Sequence, residues 1–182
     1  MKNSNIYNSY NLHLTGAEYN YKPENWKKNE NKQNCYAYAL NKYYDDTINY
    51  PQMGNFGVPD FKKYYDEDRD FGCSPYEYRI LKDNPHIYKV PFSGTCKKGY
   101  YKTYFVVAPD KDFHWYRQDK NGYYSHKPGQ LKVRDYDMSK SKNKIKNPLF
   151  ANRTDYSNKK DILDYSIVCN TFCVPKDNVY ID

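Results

Sequence analysis

The stretch DFHWYRQDKNGYYSHKPG, residues 112–129, gathers two of the chain's four histidines, an arginine, a glutamine and a serine around one turn. A neutral imidazole beside a group that orients it performs general acid–base chemistry once a nucleophile is brought to it. Upstream, KQNCYAYAL supplies one. Asn34 is a favoured N-cap and Cys35 follows at the first helical position. Unpaired N–H groups at a helix start stabilise a thiolate, and the same groups can receive an oxyanion, with Asn34 or Gln33 adding a side-chain donor. The competing fate for Cys35 is that of a buried small hydrophobe. The histidine-bearing strand about eighty residues later weighs toward chemistry.

The turn sets which side chains can meet. Asp119 suits the first position of a type I turn, and Gly122 can take the left-handed conformation of a G1 bulge. In that register Asp119 pairs with Tyr123, Tyr116 opposes His126 and His114 opposes Pro128. His114, Tyr116, Gln118, Tyr124 and His126 then share one face, with the two histidines diagonal neighbours. A two-residue Asn-Gly turn would shift the pairing by one and send His126 to the other face. His114, inside the strand, is the candidate base. Gln118, Ser125 and His126 compete to orient it, with Asp119 in the turn, and His126 is the first choice. Tyr116, Gln118 and Lys127 are candidate substrate contacts, Lys127 for an acidic group at the rim. Arg117 falls on the opposite strand face and is expected to be structural. His13 and His86 have no such company.

These residues need elements to hold them. Residues 1–22 are polar without a clear period and read as an arm; residues 23–182 read as one domain. NCYAYALNKYY predicts a helix beginning at Asn34, and PQMGNFGVP predicts a loop. In SPYEYRILKDN, Ser74 as N-cap, Pro75 at the first helical position and Glu77 as the capping-box partner predict a second helix, with Ile80 and Leu81 facing the core. HIYKV, YYKTYFVVA and FHWYRQ predict strands, while YSIVCNTFCVP and NVYID predict edge strands. The fold class expected is α+β: the helix bearing Cys35 packed on a small antiparallel sheet.

Twenty-four tyrosines predict a core that is aromatic and laced with hydroxyl hydrogen bonds. The formal charge of +7 favours an acidic partner, such as an anionic surface or a wall polymer. The densest lysine run, Met138–Pro148, reads as a solvated loop rather than a nucleic-acid patch, and no nucleic-acid motif is present. No stretch reaches membrane-spanning length and no signal-like h-region follows Met1, so the chain is expected to be soluble; a secreted or virion-associated place, as a mature form or by another route, is an expectation held despite the missing signal. Five cysteines leave one thiol if four pair. Two disulfides or buried thiols are favoured over zinc, because CxxC spacing is missing, and no metal or other cofactor is called for.

The chain order, a nucleophile at an early helix start and a histidine on a later strand, resembles the papain-like cysteine hydrolases, in particular their NlpC-like and CHAP branches. More specifically, NCYAYALN, GTCKKGYY, DFHWYRQDKNGYYSHKPG and FCV together resemble a family with the pattern NCYAYA…C…HWYRQ…G…SHKPG…FC, from about Asn34 to Val174. That pattern carries tryptophan where this chain has Tyr124, and the glycine-rich nucleophile signatures of the two branches are absent around Cys35. The resemblance implies a cysteine hydrolase cleaving an amide bond in a peptide or peptidoglycan-like substrate, with Cys35 as nucleophile, His114 as base and His126 as orienter. The alternative expectation is a non-catalytic extracellular, matrix or virion protein that keeps the fold for cohesion.

Overall fold

The structure, a computed structural model, describes residues 13–43, 50–59 and 72–181. Two α-helices are described, α1 (Cys35–Ala39) and α2 (Cys73–Asp83), with single 3-10 turns at Pro23–Trp26 and Glu30–Lys32. Seven strands follow: β1 (Tyr88–Val90), β2 (Tyr100–Ala108), β3 (Asp112–Gln118), β4 (Tyr124–Ser125), β5 (Thr154–Asp155), β6 (Leu163–Asp164) and β7 (Ile167–Pro175). Five of them form an antiparallel sheet in the order β1-β7-β2-β3-β4; β5 and β6 make a separate hairpin.

This corrects the α+β, papain-like expectation. Of the described residues, 27% lie in strands or bridges and 15% in helices, so antiparallel sheet dominates. The helix bearing Cys35 is five residues long, too short to form a layer. Its early end has a local cause. Asn41 takes a left-handed conformation (φ 51°), the Asn41 N–H bonds the Tyr38 carbonyl and the Lys42 N–H bonds the Ala37 carbonyl. That is the Schellman arrangement with asparagine in the usual glycine place, and it stops the helix after Leu40. Tyr44, the last residue of the expected helix, lies outside the described residues.

Both faces of the sheet are covered. Along β2 every residue after Tyr100 is buried. Tyr101, Phe105 and Val107 pack with Trp115 of β3 and Phe172 of β7 under α1 and α2. Tyr104, Val106 and Ala108 pack with Tyr116, Tyr124, Ile145 and Tyr165, the last two from the irregular segment between β4 and β7. Two-sided burial explains why β2 reads as a near-continuous apolar and aromatic run rather than an alternating one.

Several boundaries differ from expectation. α2 begins at Cys73 with Gly72 as N-cap, and Ser74 makes no capping bond. The disulfide Cys73–Cys169 anchors that first turn to β7 and fixes the helix start there. Ile80 is fully buried and Leu81 partly so. β7, expected at an edge, lies between β1 and β2, where its Phe172, Cys173 and Val174 are buried. Residues 178–181 form no strand. Residues 13–22 of the expected arm lie against the domain: Ala17 and Glu18 are buried, and Tyr19 bridges to Asp119. The second disulfide joins Cys96 to Cys173, leaving Cys35 as the free cysteine.

Candidate functional site

The hairpin adopts the bulged register. Arg117 pairs with Ser125 and Gln118 with Tyr124, the Asp119 N–H bonds the Tyr123 carbonyl at 2.8 Å, and Gly122 is left-handed at φ 83°. Past Ser125 the chain leaves β3. His126 bridges to Arg134 instead, so Pro128 does not oppose His114.

The two imidazoles meet directly. His114 Nε2 lies 2.7 Å from His126 Nδ1, and His126 Nε2 lies 3.0 Å from the Tyr136 carbonyl. A carbonyl only accepts, so His126 donates from Nε2 and its Nδ1 carries the lone pair. His114 must then donate from Nε2, leaving its Nδ1 as the basic end of the chain. The rings sit in an aromatic box: Tyr116 stacks on His126 at 5.0 Å between centroids, and Tyr165 approaches His114 at 5.3 Å. Burial, and then the neighbouring His126 and Arg134 charges, hold His114 well below the ordinary imidazole range. His126 is lowered to about 3, chiefly by burial. Both rings are therefore neutral at physiological pH.

Cys35 comes to the same strand by a different route. The amides of Phe113 and Trp115 point away from β2, and β4 ends before covering them. The Cys35 thiol fills that open margin: Sγ lies 4.0 Å from the Phe113 carbonyl, with the Trp115 backbone beside it. No hydrogen bond joins Cys35 to either imidazole. The His114 ring packs with Tyr116 and Tyr165 on one face of the sheet, whereas Cys35 belongs to the cluster under α1 on the other. Burial, and then the Asp112 carboxylate, push the thiol well above the ordinary cysteine range. With the thiol 5% exposed and the imidazoles neutral, the pair is not a thiolate–imidazolium couple in this structure.

The other candidate residues are committed elsewhere. Asn34 does cap α1: its Oδ1 accepts the Ala37 N–H at 3.0 Å, and its Nδ2 donates to the Pro51 carbonyl at 2.7 Å. Its amide is thus spent at both ends rather than aimed at an oxyanion. Gln33 is fully buried at the end of the preceding 3-10 turn. Gln118 is buried with its Oε1 unsatisfied and does not bond an imidazole. Lys127 corrects the expectation of a rim contact. It is 0% exposed, and its Nζ donates to the Gly129 and Leu131 carbonyls at 2.9 and 3.0 Å, closing the turn that follows it. Burial pulls its amine down to about 8.

On the α1 face, Arg117 is structural, as expected. It is buried, pairs with Asp119 at 3.1 Å, and donates to the Tyr38 carbonyl, the Tyr38 hydroxyl and Asn41 Oδ1. Its guanidinium also lies 4.1 Å from the centroid of the Tyr38 ring. The Tyr38 hydroxyl bonds Ser125, which removes Ser125 from the orienting role. Tyr136 and Tyr165, which complete the histidine box, come from a segment without motif and were not anticipated. Their only sequence signal is the aromatic composition. Among the described residues no group of three or more His, Cys, Asp or Glu side chains is placed to hold a metal ion.

Comparison with known proteins gives one relative. Insoluble matrix shell protein 1 of Ruditapes philippinarum is 31% identical over 140 residues, which cover 75% of this chain and 83% of that protein. No protein-family model matches the chain, and no solved structure matches it significantly.

Proposed function

Because the chain belongs to the family of insoluble matrix shell protein 1, we propose that it is a structural component of an extracellular matrix and not a hydrolase. The likeness carries this reading, since it spans most of both chains. The site supports it: the free thiol and both imidazoles are buried in a sheet covered on both faces, and both ring nitrogens of His126 are hydrogen-bonded within the fold. Two disulfides suit an oxidising extracellular setting, where they persist. No helix among the described residues is long and apolar enough to cross a membrane. Its partners are other components of the matrix rather than a peptide or peptidoglycan-like substrate.

The cysteine-hydrolase reading makes the opposite demand on one atom, so a single measurement separates the two. Native protein is treated with iodoacetamide at neutral pH and Cys35 alkylation is followed by mass spectrometry. A matrix protein leaves Cys35 unmodified until denaturant is added. Alkylation faster than free cysteine, abolished by Cys35→Ser, overturns the structural reading and returns Cys35 to nucleophilic duty.

A further inference from the structure

Residues 132–146 concentrate the charge of the molecule. They carry six cations, Lys132, Arg134, Lys140, Lys142, Lys144 and Lys146, against two carboxylates, Asp135 and Asp137. A net +4 of the chain's +7 therefore resides in this short segment. Both carboxylates are used internally. Asp135 pairs with Lys144. Asp137 Oδ1 accepts the Ser139 N–H, the Ser139 hydroxyl and the Asn143 N–H, while its Oδ2 accepts the Asn152 N–H at 3.0 Å. Those bonds hold the Asp137 carboxyl below the usual range and fix the loop that carries the lysines.

The segment is also built into the fold. Tyr136 bridges to Lys144 and Tyr124 to Ile145, so Ile145 is buried and the lysines on either side of it face solvent. We infer that this ridge, with Lys132, Lys140, Lys142 and Lys146 as its exposed cations and Arg134 half-buried against the Tyr136 ring, binds a linear anionic polysaccharide. The inference rests on the matrix reading for the setting in which such a polymer is met. A protein partner fits less well, because the segment's own apolar side chains Val133 and Ile145 are buried, and the exposed Leu131 and Phe150 flank it as single residues rather than forming an interface core within it. A nucleic acid also fits less well. The one aromatic ring of the segment, Tyr136, already has Arg134 at 5.6 Å and Lys142 at 5.4 Å from its centroid, which occupies the surface that base stacking needs. Lysine ammoniums, as hydrated point charges, suit sulfate or carboxylate groups spaced along a sugar chain without demanding bidentate geometry.

The test is titration calorimetry of the full chain with heparin as a sulfated polysaccharide, polygalacturonate as a carboxylated one, dextran as the neutral control and single-stranded DNA, each at low and moderate salt. Binding to one or both anionic polysaccharides, but not dextran, is expected. The two polymers distinguish sulfate from carboxylate recognition. Lys140→Glu/Lys142→Glu/Lys146→Glu should weaken binding by about tenfold or more and lower the salt slope by about two. A charge-matched control, Lys98→Glu/Lys159→Glu/Lys160→Glu, should stay within about twofold, since the ridge is intact. Asp137→Asn raises the net charge but sets an amide NH2 donor against the Asn152 N–H that Oδ2 accepts, which loosens the loop, and should weaken binding. Equal losses in the two triple variants, tighter binding by Asp137→Asn, tighter binding to DNA, or no polysaccharide binding at all would each overturn the inference. None of these results alters the Cys35 alkylation outcome, so the ridge and the matrix reading fail separately.

Discussion

The buried histidine pair makes stability depend on pH in a calculable way. His126 has its imidazole lowered to about 3 in the folded chain, against an ordinary value near 6.5 when unfolded. As pH falls below 6.5 the unfolded chain takes up a proton that the folded chain refuses, so stability is full above that value and declines through the acid range. At pH 5 the loss from His126 alone is about 2 kcal/mol relative to pH 7. His114, lowered by the same burial, adds to it. Asp83 and Asp112, whose carboxyls burial pushes up, work in the opposite sense. The informative quantity is therefore the difference between wild type and His126→Gln, from which the carboxyl contributions cancel. Urea unfolding followed by tyrosine fluorescence at pH 7, 6 and 5 gives both stabilities. His126→Gln should be less stable at pH 7, and the gap should shrink by about 2 kcal/mol by pH 5. A gap that stays constant would mean that His126 protonates in the folded state without penalty, and the sealed-box description would be wrong.

Two further outcomes follow from other parts of the fold. Asp119→Asn leaves the Arg117 guanidinium buried beside a neutral amide, and should destabilise the chain by about 3–5 kcal/mol in thermal or urea unfolding; a loss below 1 kcal/mol would mean that the tyrosine and Asn41 contacts suffice alone. Replacing Cys96 and Cys173 together by serine, with Cys73–Cys169 intact, opens a loop that runs from Cys96 back to Cys73 and across to Cys169 and Cys173, for which chain-entropy loss predicts about 3–4 kcal/mol in the urea-unfolding free energy, and unchanged stability would show that the bridge is not formed.

What could be read from sequence was what local chemistry decides. Asn34 as N-cap and the bulged DKNG turn follow from residues within one turn of each other, and both stand in the structure. That register put His114 and His126 on one face, but it ends at Ser125, and His126 is held instead by its bridge to Arg134. The end of α1 was also locally encoded, in Asn41 at the left-handed position, but asparagine is a weaker stop signal than glycine. What escaped was non-local. The start of α2 is set by a covalent link to a strand 96 residues away, and the interior place of β7 depends on pairing with β1 and β2. Lys127 misled for a different reason. A long ammonium side chain reads as exposed unless nearby carbonyls, here Gly129 and Leu131, turn back to receive it. Cys35 and β3 do come together, yet the thiol meets main chain at Phe113 and Trp115, a distinction of strand face that spacing cannot supply.

The two bridges converge on one strand, four residues apart, and this decides how the molecule would carry load. A pull applied outside them enters at Cys73, crosses the sulfur–sulfur bond to Cys169 and leaves along β7 past Cys173. The chain between Cys73 and Cys169, with the ridge and the histidine box, is bypassed and feels no tension. Only the segments beyond the bridges can pay out under strain, so a fibre or sheet built from such units would lengthen by those segments alone and then stiffen.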